Sequence, residues 1–312
     1  MQKIGVVGAG NVGVGIVDAL VMLGISKKII LYNRNIDRAF GEVWDINDAV
    51  PLLNGNIHVS ATDELNDLKD CEVIAITIGD KQEKGESRLD LLNKNRVIIV
   101  DLIKQLDIIN IEAKIIIVTN PVDIITRIAI SHSNRDKSKL FGSGTVLDTI
   151  RLREEIGTKL DINRKNIHAF VVGEHGDSEF ALWSVATIGP ILLDNFGIEN
   201  FENIKEEIMQ KVRRRAYNII EKKGYTKQAI GIAVAKLIKA ILNDEKRIFT
   251  LSTTLSNNCA HIVSDVVLSQ PCILGSNGIE SVLLLDCNNR EFELLKNSIE
   301  VLDKVYLDLK LL

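Results

Sequence analysis

Short apolar runs and longer stretches of helical periodicity alternate from the N-terminus onward. Positions 3–7, 28–32, 57–61, 72–78 and 114–119 are compact runs rich in Val, Ile and Leu, closed by turn residues. Runs that are apolar on both faces predict buried parallel strands. Between them, 11–23, 37–53 and 89–109 carry apolar residues at helical spacing, with Gly24 as a stop after the first and Pro51 near the end of the second. Residues 140–141 predict a last strand of this series. The pattern then changes. Thr145 precedes a predicted helix to about residue 160, and 165–173 and 180–188 read as antiparallel strands around a polar turn. A long helix is predicted over 201–223, broken by Gly224-Tyr225-Thr226, and another runs to 242. Strand-like stretches at 249–252, 263–268, 272–274 and 282–285 predict a second sheet, and 289–310 an amphipathic closing helix.

The first turn carries chemistry. Gly8-Ala9-Gly10-Asn11-Val12-Gly13 follows the first strand directly and opens the first helix. In that context the first glycine permits a tight turn, the second lets backbone approach a pyrophosphate, and the third lets helix pack on strand. The fold class expected is therefore α/β: a Rossmann-type doubly wound parallel sheet over 1–142, followed by a mixed α+β substrate domain over 143–312. The nucleotide rule places an acid about 20 residues beyond the motif, on the ribose hydroxyls. Here that position holds Asn33, followed by Arg34. Asparagine still hydrogen-bonds a ribose but does not repel a 2′-phosphate, and Arg34 is able to pair with one, so both NAD and NADP stay open. The alternative for Arg34 is a solvated charge at a strand end. Residues 79–88, from Gly79 to Arg88, form a polar loop at the strand end where ligands of open α/β sheets bind, suited to close as a lid.

Composition narrows the function classes. The net charge of −4 over 312 residues gives no electrostatic footprint for nucleic acid or an anionic membrane surface, so the Arg213-Arg214-Arg215 run reads as a solvated or inter-subunit face. No apolar run approaches the roughly 20 residues that span a bilayer. The four cysteines stand alone without a Cys-x-x-Cys pair, which argues against a zinc or redox motif and for reduced thiols in a cytosolic protein. No metal site is expected.

Only five histidines occur, and one of them, His175, lies between two glycines in Gly173-Glu174-His175-Gly176-Asp177. Histidine titrates near neutral pH and is the natural proton donor and acceptor. Asp148 and Arg151 are three apart on one predicted helix and share a face, a spacing that surface ion pairs also show. Asn120 ends a strand at the same edge as the glycine turn.

Together these segments resemble the L-lactate and malate dehydrogenase family. The resemblance rests on five motifs in order: Gly8 to Gly13, Gly85-Glu86-Ser87-Arg88, Thr119-Asn120-Pro121-Val122-Asp123, Leu147-Asp148-Thr149-Ile150-Arg151 and the His175 turn. It covers essentially the whole chain. It implies His175 as proton donor and acceptor, Asp148 as the carboxylate orienting it, Arg151 as the clamp on the substrate carboxylate and Arg88 as the lid arginine polarising the carbonyl. Asn120 is implied at the carbonyl and the nicotinamide side, and Thr226 in the substrate pocket. The resemblance places Gln82 where malate enzymes hold an arginine. A neutral side chain there disfavours a second substrate carboxylate and leaves pyruvate, or a longer or branched 2-oxo acid as in the L-2-hydroxyisocaproate dehydrogenases that Gly224-Tyr225-Thr226 also resembles. A homodimer or homotetramer is implied, and Arg153 and His168 match positions that bind fructose 1,6-bisphosphate in allosteric relatives. A nucleotide sensor without chemistry is the non-enzyme alternative, distinguished by low turnover despite tight dinucleotide binding.

Overall fold

The computed structural model describes residues 2–53, 56–80, 88–255, 265–284 and 287–310, and of Arg88, Leu89 and Lys310 the backbone only. The first half runs β1 (Lys3–Val7), α1 (Asn11–Met22), β2 (Lys28–Tyr32), α2 (Ile36–Ala49), β3 (His58–Thr62), β4 (Val73–Ile76), α3 (Arg88–Ile109), β5 (Lys114–Ile117), α4 (Val122–His132) and β6 (Leu140–Gly142), as its pattern predicts except for α4. The second half comprises α5 (Val146–Leu160), the two-residue strands β7 (Ile167–His168), β8 (Val171–Val172), β9 (Phe180–Ala181), β10 (Thr187–Ile188) and β11 (Ile191–Leu192), then α6 (Phe201–Lys223), α7 (Gln228–Leu242), β12 (Arg247–Thr254), β13 (Val267–Gly275), β14 (Gly278–Val282) and α8 (Asn289–Lys310).

Six parallel strands run β6-β5-β4-β1-β2-β3, each pair in continuous register. Their centre is apolar on both faces because helices cover both: Ile4, Ile74, Ile115 and Ile117 have no exposure. Each such side chain contributes roughly 1.5–3 kcal/mol on burial. Helices α1, α2 and α7 pack on one face, and α3, α4 and α8 on the other. A third core joins α5, α6 and the short strands. Among the described residues, no helix is long and apolar enough to cross a membrane, and Cys71 and Cys272 are buried free thiols. Cys259 lies outside the described residues.

The structure corrects the sequence reading in several places. The strands expected to build a second sheet instead extend the first, in the order β14-β13-β12-β6, through one antiparallel pair, Ser252 with Gly142. Gly142 permits this seam: a Cβ there would lie 2.5 Å from Thr126 Oγ1 and 2.8 Å from Ser252 Cβ. Strand periodicity reports which residues are apolar, not which edge they join. Helix α4 was not predicted. Its polar residues Asp123, Thr126 and Arg127 recur at helical spacing, but they are buried with the rest of Val122 to Ala129, so that stretch has no solvent-facing side. Pro271 split one predicted strand in two, yet it sits inside β13. Its carbonyl accepts from the Leu283 N–H on the β14 side, so its missing N–H faces that side too, beyond the last pair there, Cys272 with Val282. Thr145 stands at the N-cap position of α5 without capping it. Its hydroxyl donates to the Val171 carbonyl at 2.6 Å, tying α5 to β8. The strands expected over 165–173 and 180–188 are broken into pieces, with β8 pairing β9 and β7 pairing β10, both antiparallel.

Helices α1 and α7 cross at two glycines. A Cβ on Gly231 would sit 2.3 Å from the Gly15 carbonyl oxygen, and one on Gly15 would sit 2.8 Å from Lys227 Cγ. The Lys227 ammonium pairs with Asp18 at 2.9 Å across this crossing. The helix that carries the glycine turn thus touches the helix that follows Thr226.

Candidate active site

The glycine turn is shaped by what a side chain would strike. Gly8 has φ +114, and a Cβ there would lie 2.7 Å from Thr77 Oγ1; a Cβ on Gly13 would lie 1.8 Å from the Gly8 carbonyl oxygen. Gly10 differs, because nothing stands within 4 Å of its would-be Cβ. Two glycines are therefore required by packing and the third by open approach. Gly10 is the N-cap of α1, no side chain caps that helix, and its first turn holds no acid. Its free N–H groups and the positive end of its dipole are left for an anion.

A cleft of about 450 Å³ opens there, lined by Gly8, Gly10, Asn33, Arg34, Thr77 and Gly79 among others. The residues fit a dinucleotide: an open glycine, an uncapped helix start and the C-terminal edge of parallel strands coincide. Asn33 faces this cleft, but its amide is committed to backbone. Its Oδ1 accepts from the Ala9 N–H at 3.1 Å and its Nδ2 donates to the Asn35 carbonyl at 2.8 Å, which holds the glycine turn against β2. Asn11 is exposed and Val12 half-buried at the start of α1. Past Gly79, the Asp80 N–H donates to Oδ1 of the buried Asn95 at 2.8 Å. Asn95 was not singled out by sequence, since a polar residue inside a helical pattern has no period of its own.

The second cluster lies where β8 turns into β9. His175 Nδ1 is 2.7 Å from Asp148 Oδ2, and Arg151 Nη1 donates to Asp148 Oδ1 at 2.8 Å. The Asp148–Arg151 pair is buried, with 3% and 11% side-chain exposure, and not the surface pair that its spacing also allowed. A carboxylate only accepts, so His175 Nδ1 carries the hydrogen of that bond and Nε2 is the nitrogen free to exchange a proton. One acid thus orients both the histidine and the arginine. Arg151 has further N–H donors beyond the one given to Asp148.

The loop bearing His175 is held from three sides. Its own N–H donates to Asp123 Oδ2 on α4 at 2.6 Å, and Asp123 Oδ1 accepts from the Ser252 hydroxyl on β12 at 2.5 Å. Gly173, at φ +89, exchanges backbone hydrogen bonds with Ser269 on β13. Ser298 on α8 donates to the Ser178 carbonyl at 2.7 Å and accepts from the Glu174 N–H at 3.3 Å. Asp123 and Ser252 went unassigned in the sequence, although Asp123 lies within a quoted motif. Nothing local signals a bond to a loop 52 residues away.

Three acids surround the histidine. Burial alone pulls the His175 imidazolium down, but the charge and hydrogen bond of Asp148, with Asp123 and Glu179 behind it, lift its pKa to about 9. Burial works against the Asp148 carboxylate too, yet His175 and Arg151 hold it below its ordinary range. Burial raises Asp123 to about 6, opposed by its bonds from Ser252 and the His175 N–H. Glu179 is pushed up to about 9, first by burial and then by Asp148. Its Oε1 is buried without a hydrogen-bond partner, and it brings a carboxylate oxygen within 4.8 Å of ligand-capable atoms of both Asp148 and His175. Glu179 therefore holds its proton more tightly than an ordinary carboxylate, while Asp148 is the acid whose charge is favoured beside His175.

Other predicted residues are placed less tightly. Asn120 is exposed just past β5, and its peptide bond to Pro121 is cis. The preceding Thr119 hydroxyl donates to the Ile78 carbonyl at 2.6 Å, so Asn120 stands on the same strand edge as Gly79. Thr226 is half-buried between α6 and α7. Arg88 begins α3, but its side chain, like all of Gln82, lies outside the described residues. The Arg153 Nε donates to the Ala169 carbonyl at 3.0 Å and its guanidinium lies 5.0 Å from the Phe170 ring centroid, while His168 is exposed on β7. Among the described residues no hydrogen bond or ion pair joins Arg153 to His168.

A dinucleotide-shaped cleft beside a carboxylate-backed histidine and an arginine defines a nicotinamide-dependent oxidoreductase acting on a small anion. Residues 2–142 match the lactate/malate dehydrogenase NAD binding domain, and residues 145–309 match the alpha/beta C-terminal domain of the same family. The chain belongs to the lactate/malate dehydrogenase family, and its dinucleotide is NAD. The L-lactate dehydrogenase of Thermoanaerobacter pseudethanolicus is 39% identical over 313 residues, 99% of each chain. That of Clostridium botulinum strain Hall is 38% identical over 304 residues, 96% of this chain and 94% of its own. Among solved structures, a lactate dehydrogenase from a Medee basin deep-sea metagenome library has a TM-score of 0.93 at 35% identity, covering 99% of both chains. The minor L-lactate dehydrogenase of Enterococcus mundtii has a TM-score of 0.93 at 30% identity, covering 98% of this chain and 97% of its own.

Proposed function

We propose that the protein is an L-lactate dehydrogenase that interconverts pyruvate and L-lactate with NAD, His175 exchanging the proton. The observation that carries this reading is the buried Arg151–Asp148–His175 set, which joins a carboxylate clamp and a proton donor through one acid. Bound at the glycine cleft, the nicotinamide cofactor supplies or accepts the hydride. The chain does the rest. Arg151 presents its remaining N–H donors to the substrate carboxylate, a planar fork suited to that shape. His175 Nε2 gives its proton to the oxygen that becomes the hydroxyl, and Asp148 stabilises the imidazolium before that transfer. Asn120 orients the carbonyl, Thr226 and Gln82 bound the pocket, and Arg88 polarises the carbonyl from the lid. Gly8, Gly10, Asn11, Val12, Gly13, Asn33, Arg34 and Gly79 hold the cofactor.

Pyruvate is the preferred substrate in this reading, supported by the L-lactate dehydrogenases at 38–39% identity over nearly the whole chain. The reading for branched 2-oxo acids leaned on Tyr225, which is exposed and lies beneath the Lys223 ammonium at 4.9 Å, and the structure adds nothing in its favour. Steady-state reduction of pyruvate, 2-oxoisocaproate and oxaloacetate with NADH tests the choice. The highest kcat/KM is expected for pyruvate; a lead for either of the others overturns it.

The raised pKa of His175 gives the two directions opposite pH dependences. Reduction needs the imidazolium, so kcat/KM for pyruvate stays level at neutral pH and falls as pH rises through about 9. Oxidation needs the neutral ring, so kcat/KM for lactate climbs over the same interval. A reduction profile already falling at pH 6 to 7, where an ordinary histidine titrates, would contradict this.

We also propose a division at residues 1–142 and 143–312, supported by the limits of the two family matches, and a cytoplasmic homo-oligomer, a dimer or tetramer. Two faces support the assembly. On α2, Phe40 and Trp44 stack at 5.8 Å and stay 39% and 67% exposed. Elsewhere an apolar pocket of about 440 Å³ is rimmed by Ile150, Ile232 and Ile248, with Arg153, Lys236 and Arg247 as its charges. The acids beside Trp44, namely Glu42, Asp45 and Asp48, complement those cations. Trp44→Glu is expected to weaken assembly by about 2 kcal/mol or more, read as a lower mass in light scattering; an unchanged mass at low protein concentration removes α2 from the interface.

A further inference from the structure

We infer that the outer end of the cofactor cleft is built to take a 2′-phosphate, so that the protein binds NADP(H) as well as NAD(H). The inference rests on the reading of the cleft as a dinucleotide site and concerns only the turn between β2 and α2. In dinucleotide sites of this topology an acid at the end of the second strand holds the ribose hydroxyls and repels a phosphate placed on one of them. Asn33 occupies that end. Its amide oxygen is held by the Ala9 N–H and its nitrogen by the Asn35 carbonyl, so the residue keeps the turn's shape while contributing no charge.

Two arginines flank it. Arg34 and Arg38 both line the cleft, both are exposed, and neither forms an ion pair among the described residues. Guanidinium groups match phosphate oxygens in a planar, two-pronged geometry and stay charged at every relevant pH. The acids nearby do not cancel them. Asp37 does not line the cleft; Asp101 and Asp80 do, Asp101 on α3, where it accepts from the Gln105 amide at 2.7 Å, and Asp80 just past Gly79, beyond the end of β4 and not on the turn that carries the two arginines. Asp63 and Glu64 act on the Tyr32 hydroxyl from the residues after β3, outside the lining, as Asp101 does from α3 and Arg34 does with the opposite sign. The turn at which an NAD-selective site is negative is here neutral at residue 33 and positive at 34 and 38.

Adenosine 2′,5′-bisphosphate and 5′-AMP isolate this end of the cofactor, and calorimetry reads their affinities without turnover. On the wild-type chain the bisphosphate is expected to bind at least as tightly as 5′-AMP. Arg34→Ala should weaken the bisphosphate about tenfold or more while leaving 5′-AMP within about twofold. Asn33→Asp keeps an acceptor for Ala9 and adds a charge, so it should favour 5′-AMP by a similar factor. Thermal melts of both variants confirm folding. A wild-type preference of tenfold or more for 5′-AMP, or an equal loss of both ligands in Arg34→Ala, overturns the inference and leaves the cleft as an NAD site. Failure of both ligands to bind would instead sink the dinucleotide reading beneath it, and with it this inference.

Discussion

His175→Ala is expected to lower kcat for pyruvate reduction by about 10⁴-fold, near the upper limit of what a positioned acid contributes, while the affinity for NADH, read by fluorescence, stays within about twofold of wild type. The two readouts separate because the histidine reaches the site by its own route. Its loop is pinned by Asp123, Ser269 and Ser298, none of them in the glycine cleft. Removing the ring leaves those bonds intact, since the contact to Asp123 is made by the backbone of residue 175. Turnover within tenfold of wild type would remove His175 from proton transfer.

Asp148→Asn is the second large effect, and it damages more than one thing. The amide keeps an acceptor for one partner but loses the charge that holds His175 protonated and Arg151 in place. kcat should fall about 10³–10⁴-fold, the scale seen when the acid of a histidine–carboxylate pair is neutralised elsewhere. The upper inflection of the reduction profile should move down toward the ordinary histidine range, because Asp148 is the main group raising it. Stability falls too. Breaking a buried pair from one side leaves Arg151 buried and less compensated, at a cost of about 3–5 kcal/mol. The double variant with His175→Ala should lose little more kcat than His175→Ala alone, since the two act as a unit. Additive losses would show that Asp148 works through Arg151 and not through the histidine.

Much of this site could be read from the sequence because it is carried by residues with narrow physical uses. A glycine triplet between a strand and a helix has few alternatives to backbone approach, and the structure shows open space at Gly10 and packing at Gly8 and Gly13. Helices α6 and α8 begin and end where their patterns predict, because each has one apolar and one charged face. What escaped was information held by neighbours distant in the chain. Helix α4 does carry Asp123, Thr126 and Arg127 at helical spacing, but that face is buried by such neighbours and not wetted. Spacing on α5 put Asp148 and Arg151 on one face but could not say whether that face was wet or dry. Asp123 and Glu179 look like ordinary acids in sequence; burial gives them raised proton affinities, against the opposing pull of His175.

The single sheet has a practical corollary for anyone who would divide the molecule. Severing the chain after Gly142 would leave β6 as a bare flank of one fragment and β12 as a bare flank of the other, each with unpaired peptide groups and, in β12, fully buried residues such as Leu251 and Ser252 newly wetted. Strands in that condition recruit any partner they meet. The fragments are therefore expected to precipitate apart and to work only as a complementing pair produced together, rejoined by the Gly142–Ser252 seam and by the contact of Gly15 with Gly231.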